Sequence, residues 1–155
     1  MTEIEKKYLI ERVNLPDLSG MKRTRIEQHY IYLGEKGEVR IRKKNDKYFI
    51  TIKGNGTLKR NEWESEITKE LYDFFLLAAK GRTLVKDRYE IKLLDGNTAE
   101  LDIYHEKLEG HLVIEVEFES VKEASVFEEP DWFGKDITDD ARYKNKNLAL
   151  KGWPE

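Results

Sequence analysis

Several short stretches of this chain carry ionisable or hydroxyl side chains at every second position: Glu3, Glu5 and Lys7, then Arg40 and Arg42, then Thr51 and Lys53, then Glu62, Glu64 and Glu66. Further on come Lys86, Arg88, Glu90 and Lys92, then Glu100 and Asp102, then Glu115, Glu117 and Glu119. In an extended strand, residues two apart share a face, so each stretch presents one ionic face. In several of them the signs are sorted rather than interspersed: Arg40 with Arg42, Glu100 with Asp102, and Glu115 with Glu117 and Glu119. Two like charges about 4 Å apart cost on the order of 4 kcal/mol at an effective dielectric near 20, so such clusters persist best when a ligand of opposite sign neutralises them. Arg and Lys suit phosphoryl oxygens, Arg through its bidentate fork and Lys as a point charge. Carboxylates in a chain with no Cys and only 3 His suit a hard divalent cation such as Mg2+ or Mn2+, which takes oxygen ligands. A short polyphosphate chelated to such a cation satisfies both sets at once.

The elements that must position these groups are strands. Opposite the ionic faces lie apolar ones: Ile4 and Tyr8, Val39 and Ile41, Ile50 and Ile52, Leu101 and Ile103, Ile114 and Val116. Eight candidate strands follow, approximately Glu3 to Ile10, Ile26 to Leu33, Glu38 to Lys43, Tyr48 to Lys53, Asn61 to Ile67, Thr83 to Leu93, Thr98 to Tyr104 and Leu112 to Glu119. Turns are expected at Asn45-Asp46, Gly54-Asn55-Gly56, Asp95-Gly96 and Glu109-Gly110, whose residues tolerate left-handed backbone. Three segments break the alternation. Thr68 caps a helix that should stop at Gly81, Ser120 to Glu123 is a capping box opening a short helix that Pro130 ends, and a last helix should run from near Thr138 to about Leu150. The fold class is mainly β (α+β), an eight-stranded antiparallel barrel with about three accessory helices, closed with its ionic faces inward as a polar lumen. Taken singly, an ionic face is ordinarily the solvated outside of a sheet, and it is the sorting of signs that argues for the inside. Trp63, Tyr89 and Phe118 are read as core, Trp132 and Phe133 as a packing anchor, and His29 as a surface or core histidine rather than a ligand.

Composition bounds the rest. The 155 residues make one domain, 1–155, and 38% of them are charged, well above the roughly 25% of ordinary soluble domains. The 8 Tyr, 6 Phe and 3 Trp argue for a packed core rather than a disordered polyampholyte. Without Cys there is no disulfide, zinc-thiolate site or cysteine nucleophile. A net charge of -3 does not advertise a nucleic-acid or membrane partner. The start, Met-Thr-Glu-Ile-Glu-Lys-Lys, lacks the apolar stretch of a signal peptide, and the expected location is the cytoplasm. Both a monomer and a homodimer remain open.

The Glu-x-Glu-x-Lys of Glu3 to Lys7, followed in order by Arg40-x-Arg42, Thr51-Ile52-Lys53, Glu62-x-Glu64, Lys86-x-Arg88, Glu100-x-Asp102 and Glu115-x-Glu117, resembles the triphosphate tunnel metalloenzymes, or CYTH superfamily. The ending Pro130-Asp131-Trp132-Phe133-Gly134 with Arg142 to Lys146 is similar to that of short bacterial members. The resemblance covers essentially the whole chain. It implies a closed eight-stranded barrel and metal-dependent hydrolysis of a triphosphate, most simply inorganic tripolyphosphate. It implies phosphate-binding roles for Lys7, Arg40, Arg42, Lys53, Lys86 and Arg88 and metal-binding roles for Glu3, Glu5, Asp102, Glu115 and Glu117, with Glu62, Glu64 and Glu100 as further lumen acids. It also implies that Tyr30 pairs with Lys86 to prepare the attacking water, and that Lys144 and Lys146 belong to a plug closing one mouth. Thiamine triphosphate hydrolysis, nucleoside triphosphate hydrolysis or cyclisation, and polyphosphate binding without turnover are the alternatives.

Overall fold

The computed structural model describes residues 2–56 and 58–155. Eight antiparallel strands close into a barrel in the order β1-β5-β4-β3-β2-β6-β7-β8. They are β1 Thr2–Leu9, β2 Arg23–Gly34, β3 Gly37–Lys44, β4 Lys47–Gly54, β5 Lys59–Ile67, β6 Thr83–Lys92, β7 Thr98–Tyr104 and β8 Leu112–Glu117. Hairpins join β2 to β5 and β6 to β8. The expected turns are used: Asn45 adopts φ 53° between paired Lys44 and Lys47, and Gly96 adopts φ 94° beside the Asp95 side chain, which accepts from Asn97 N at 2.9 Å. β5 begins two residues earlier than the alternation suggested, and β8 ends two residues sooner because Glu119 already serves the next helix.

Three helices decorate the barrel: α1 Lys69–Leu76, α2 Val121–Val126 and α3 Asn145–Lys151. Thr68 Oγ1 caps α1 by accepting from Leu71 N at 3.1 Å. The helix tightens into i to i+3 turns after Leu76 and so ends short of Gly81. The capping box is complete, with Ser120 Oγ accepting from Glu123 N and Glu123 Oε2 accepting from Glu119 N, both at 3.0 Å. The last helix starts later than the expected Thr138. Asp136 accepts from the backbone and hydroxyl of Thr138, and Asp140 accepts from Arg142 N, so these side chains favour turns, and a single 3-10 turn at Ala141–Tyr143 precedes α3.

The apolar side chains form two bodies. One lies outside β1, β6, β7 and β8, where Tyr8, Leu101, Ile114 and Phe118 pack under Ala124, Phe127 and Phe133. Tyr8 stacks obliquely on Phe133 at 5.0 Å, and Trp132 meets Phe133 edge-on at 4.8 Å, so the aromatic pair does anchor the C-terminal segment. Gly134 permits the close approach of this segment to β1, since a Cβ there would stand 2.6 Å from Leu9 O. The second body is inside the barrel: Tyr30, Leu84, Tyr104 and Val113 pack against Ile137, Leu148 and Ala149. The C-terminal segment therefore plugs one end of the lumen with apolar side chains, and the ionic space is the remainder. Phe118 is core and Tyr89 packs against it half-buried, but Trp63, expected in the core, is 56% exposed because no segment covers the outer face of β5.

Candidate functional site: an ionic cavity inside the barrel

The lumen encloses a cavity of about 220 Å³. Lys7, Tyr30, Arg40, Arg42, Lys53, Lys86, Arg88, Lys144 and Lys146 line it, as do Glu3, Glu5, Glu62, Glu64, Glu100, Glu115 and Glu117. Of the residues expected at the site, Asp102 alone is not on this wall. It is fully buried behind it, with Oδ1 accepting from Arg88 Nε at 2.7 Å and Oδ2 accepting from Lys86 Nζ at 2.7 Å and Arg88 Nη2 at 2.9 Å. Both of its oxygens are engaged by the two cations beside it. Glu66 and Glu119 lie outside the cavity.

Register explains the convergence. Lys53 stands opposite Glu62, Arg88 opposite Asp102, and Lys7 opposite Glu115. Like-charged oppositions remain, among them Glu5 with Glu117 and Glu100 with both Glu115 and Glu90. Burial, then the charges of Glu115 and Glu3, push the Glu5 carboxyl up to about 8. Burial also raises Glu100 and Glu117. Glu62 is pushed to about 7 by burial and by its hydrogen bond with Glu3. For Glu3, burial is outweighed by the Lys53 ammonium 2.9 Å away, and its carboxyl is held well below the usual range. Glu115 is likewise held low, chiefly by Lys7 and Arg88 against burial.

The cations divide into paired and unpaired. Arg42 donates to Glu64 at 3.0 Å, and Thr51 donates to the same oxygen at 2.6 Å. Arg40 is buried, lines the cavity and has no carboxylate within ion-pair distance among the described residues. The Nε atoms of Arg40 and Arg42 are buried without a partner. Burial, aided by Arg88, pushes Lys86 down to about 7 against the pull of Asp102. Tyr30 Oη accepts from Gln28 Nε2 at 2.8 Å, and burial raises the phenol above its ordinary range. Tyr30 and Lys86 share the cavity, but no hydrogen bond joins them among the described residues. Lys144 Nζ is tied to Gly56 O at 2.6 Å, and Lys7 Nζ donates to Tyr143 O at 2.8 Å, so both lysines also fasten the plug.

Four charged cavity residues were not singled out from the sequence, Lys44, Asp140, Arg60 and Glu38, and the last two make most of the ion pairs among them. Arg60 reaches Glu3 at 3.0 Å, Glu5 at 2.9 Å and Glu38 at 3.5 Å, and Glu38 is itself buried on the wall. Both follow the period-two pattern, Arg60 with Glu62 and Glu38 with Arg40. Arg60 fell outside the expected start of its strand. The carboxylates offer the oxygen donors a hard divalent cation takes, and the raised Glu5 shows the crowding such an ion relieves. Among the described residues no three of them are already arranged as a metal cage, since Lys53 and Arg60 hold Glu3 and Glu5.

A closed antiparallel barrel with a lumen of interleaved cations and carboxylates defines the class. The chain belongs to the CYTH domain family, whose profile matches residues 1–152. It is 39% identical over 151 residues to a Nitrosomonas europaea protein named inorganic triphosphatase, covering 97% of this chain and 98% of that one. It is 34% identical over 149 residues to an Acetivibrio thermocellus protein of the same name, covering 95% and 92%. A crystal structure described as an inorganic triphosphatase superposes with TM-score 0.72 at 35% identity, covering 99% of this chain and 98% of the other. No helix among the described residues is long and apolar enough to cross a membrane.

Proposed function

We propose that this protein hydrolyses inorganic tripolyphosphate to diphosphate and phosphate inside the barrel, with Mg2+ or Mn2+ held by Glu3, Glu5, Glu115 and Glu117. The observation that carries the reading is Arg40, a buried guanidinium with no carboxylate partner among the described residues, beside Arg42 on one wall of the cavity. The carboxylates of Glu38, Glu3 and Glu62 offset its burial only from beyond ion-pair distance, and a linear anion along the lumen would give the guanidinium direct, charge-assisted hydrogen bonds. The relatives' names support the choice of triphosphate.

Phosphoryl transfer needs charge neutralisation and in-line positioning more than covalent help. A bound divalent cation contributes charge neutralisation at the phosphoryl oxygens. Arg40, Arg42, Lys53 and Arg88 bind and align the anion, and Lys7 joins them from β1. Asp102 holds Lys86 and Arg88 in place. Lys86, with its lowered proton affinity, takes the proton of the attacking water, and Tyr30 donates its hydroxyl hydrogen toward the same space. Burial in a plugged lumen limits bulk water. The reading places the protein in the cytoplasm, as a monomer or homodimer with a small-molecule triphosphate as its partner.

The test is phosphate release from tripolyphosphate, thiamine triphosphate and ATP side by side, with Mg2+, Mn2+ or chelator. Metal-dependent release from tripolyphosphate well above the other two is expected. Tight binding without release makes the chain a polyphosphate-binding module and overturns the hydrolase reading.

A further inference from the structure

Three cations follow one another along the inward face of β3, Arg40, Arg42 and Lys44, each about 6.7 Å of strand beyond the last. The row runs from the plugged end of the lumen to the end opposite the plug. The plug sits where β3 begins and β4 ends, with Lys144 Nζ donating to Gly56 O at 2.6 Å. Lys44 stands at the other end of β3, opposite Lys47 across the hairpin. The charged surroundings change in step along the row. Arg40 lies among Tyr30, Glu38, Glu3 and Glu62, Arg42 beside Arg88 and Glu64, and Lys44 beside Arg42, Glu64, Arg88 and Glu100. The strand was expected to end at Lys43, one residue short of its third cation.

Lys44 is half-buried on the cavity wall and, like Arg40, has no carboxylate within ion-pair distance among the described residues. Its ammonium rests instead over the ring of Phe49 at 5.5 Å, an aromatic that β4 turns to the same face as Thr51 and Lys53. A cation over an aromatic face is held in place without engaging its N–H donors. The hairpin that carries it is pinned, since Arg25 N donates to Asn45 Oδ1 and Asn45 N to Arg25 O, both at 2.9 Å. Burial, then the charge of Arg42, lowers the proton affinity of the ammonium, a strain that a bound anion relieves.

We infer that Lys44 is a specificity-determining residue that reads the length of the bound anion: it meets the outermost phosphoryl group of a tripolyphosphate seated on Arg40 and Arg42, and a diphosphate on the same two arginines does not reach it. The inference rests on the triphosphate reading of the lumen. Arg40 and Arg42 are adjacent inward positions, so an anion of two phosphoryl groups engages both. A third group, continuing away from the plug, comes within reach of an ammonium one step further along the strand. The cations on the facing strands are already held by carboxylates, Lys7 by Glu115, Lys53 by Glu3, and Lys86 and Arg88 by Asp102. Lys44 has its donors free, and as a point charge on a flexible stem it follows a terminal phosphoryl group without a fixed fork geometry. Hydrolysis to diphosphate then removes this contact, so the site holds its substrate more tightly than its product.

Calorimetry tests it with two unreactive probes, each with Mg2+: tripolyphosphate whose bridging oxygens are replaced by methylene groups, and methylenediphosphonate. Lys44→Gln should weaken binding of the three-phosphorus probe about tenfold and leave the two-phosphorus probe within about twofold. Lys44→Arg, which keeps the charge, should stay within about threefold of wild type for both. Lys47→Gln removes an exposed neighbour that does not line the cavity, and at physiological ionic strength it should change neither affinity by more than about twofold. In turnover, Lys44→Gln should raise KM for tripolyphosphate about tenfold with kcat within about threefold. Equal weakening of both probes makes Lys44 a general attractor of anions and overturns the length reading, and so does no weakening of either. Because neither probe can be hydrolysed, a wild type that shows the length preference without turning over tripolyphosphate upholds this inference and overturns only the hydrolase reading. A wild type that binds neither probe overturns both.

Discussion

Asp102 and Arg40 stand on different walls of the lumen, both buried and both charged, and their surroundings are opposite. On the β6–β7 wall Asp102 accepts three hydrogen bonds from Lys86 and Arg88, which engage both of its oxygens. On the β3 wall Arg40 has an unpartnered Nε and no carboxylate within ion-pair distance among the described residues. One wall is satisfied by the fold itself, and on the proposed reading the other is completed by what enters the cavity. The difference would then separate residues that hold the site in shape from residues that meet the substrate, although both are ionic residues set by the same period-two alternation.

The largest effect tests the acids that face the cavity. Glu115→Gln keeps the shape but removes a carboxylate paired with Lys7 at 3.4 Å, and metal-dependent turnover should fall by about 10³-fold, read as initial phosphate release at saturating metal. Next comes the contrast itself. Asp102→Asn leaves Lys86 and Arg88 buried with a weakened partner, and breaking such a pair costs about 3–5 kcal/mol, so the melting temperature should fall by about 10 °C. Its affinity for Mn2+, measured by calorimetry, should stay within about threefold of wild type, whereas Glu115→Gln loses about 10- to 100-fold. Equal loss of metal affinity in both variants would put Asp102 back among the ligands. Arg40→Gln should do the reverse of Asp102→Asn, leaving the melting temperature unchanged or higher and raising KM for tripolyphosphate about 10- to 100-fold.

The pH profile sharpens the same division. Burial brings Lys86 to about 7, so if the neutral amine takes the water proton, kcat at saturating metal rises up to tenfold per pH unit below about 7 and levels off above it. A kcat that instead falls as pH passes 7 would show that Lys86 works as a cation on phosphate. Glu5, raised to about 8 by burial and then by Glu115 and Glu3, must lose its proton to accept a metal. Metal affinity should therefore also rise with pH through this window, and calorimetry in two buffers of different ionisation enthalpy separates that proton release from the kinetic limb.

Alternation legibly assigned faces and much less legibly assigned depth. Glu3, Glu5, Arg40, Arg42, Lys53 and Lys86 were all placed in the lumen by period two together with the sorting of signs by stretch, because every strand of a closed barrel turns one face inward. The same rule put Asp102 inward, but its saturation depends on Arg88 and Lys86 reaching it from β6, which spacing within β7 does not encode. Trp63 was correctly set opposite the acids of β5 and wrongly taken as core, since alternation names the outer face without saying whether any segment covers it. Arg60 was missed because the strand was expected to start at Asn61, one residue downstream of it. The late start of α3 has a local cause, the side chains of Asp136 and Asp140 competing for backbone donors that a helix would need free.

The smallest expected effect concerns the pair that the resemblance joins and the geometry leaves apart. Tyr30 is raised above the ordinary phenol range by burial, so it stays protonated across the working pH and acts as a donor. Gln28 Nε2 already donates to its oxygen, which leaves the hydroxyl hydrogen for the cavity. One neutral hydrogen bond contributes about 0.5–1.5 kcal/mol, so Tyr30→Phe should lower kcat by about 2- to 10-fold with KM little changed. Lys86→Met should cost far more if the amine is the base. The informative quantity is the double variant. If both groups orient the same water, Tyr30→Phe adds nothing once Lys86 is gone, because there is no longer a proton transfer to align. Equal losses of Tyr30→Phe in the presence and absence of Lys86 would mean that the tyrosine contacts the phosphate chain instead, on the Arg40 side of the lumen where β2 and β3 set the two residues opposite each other.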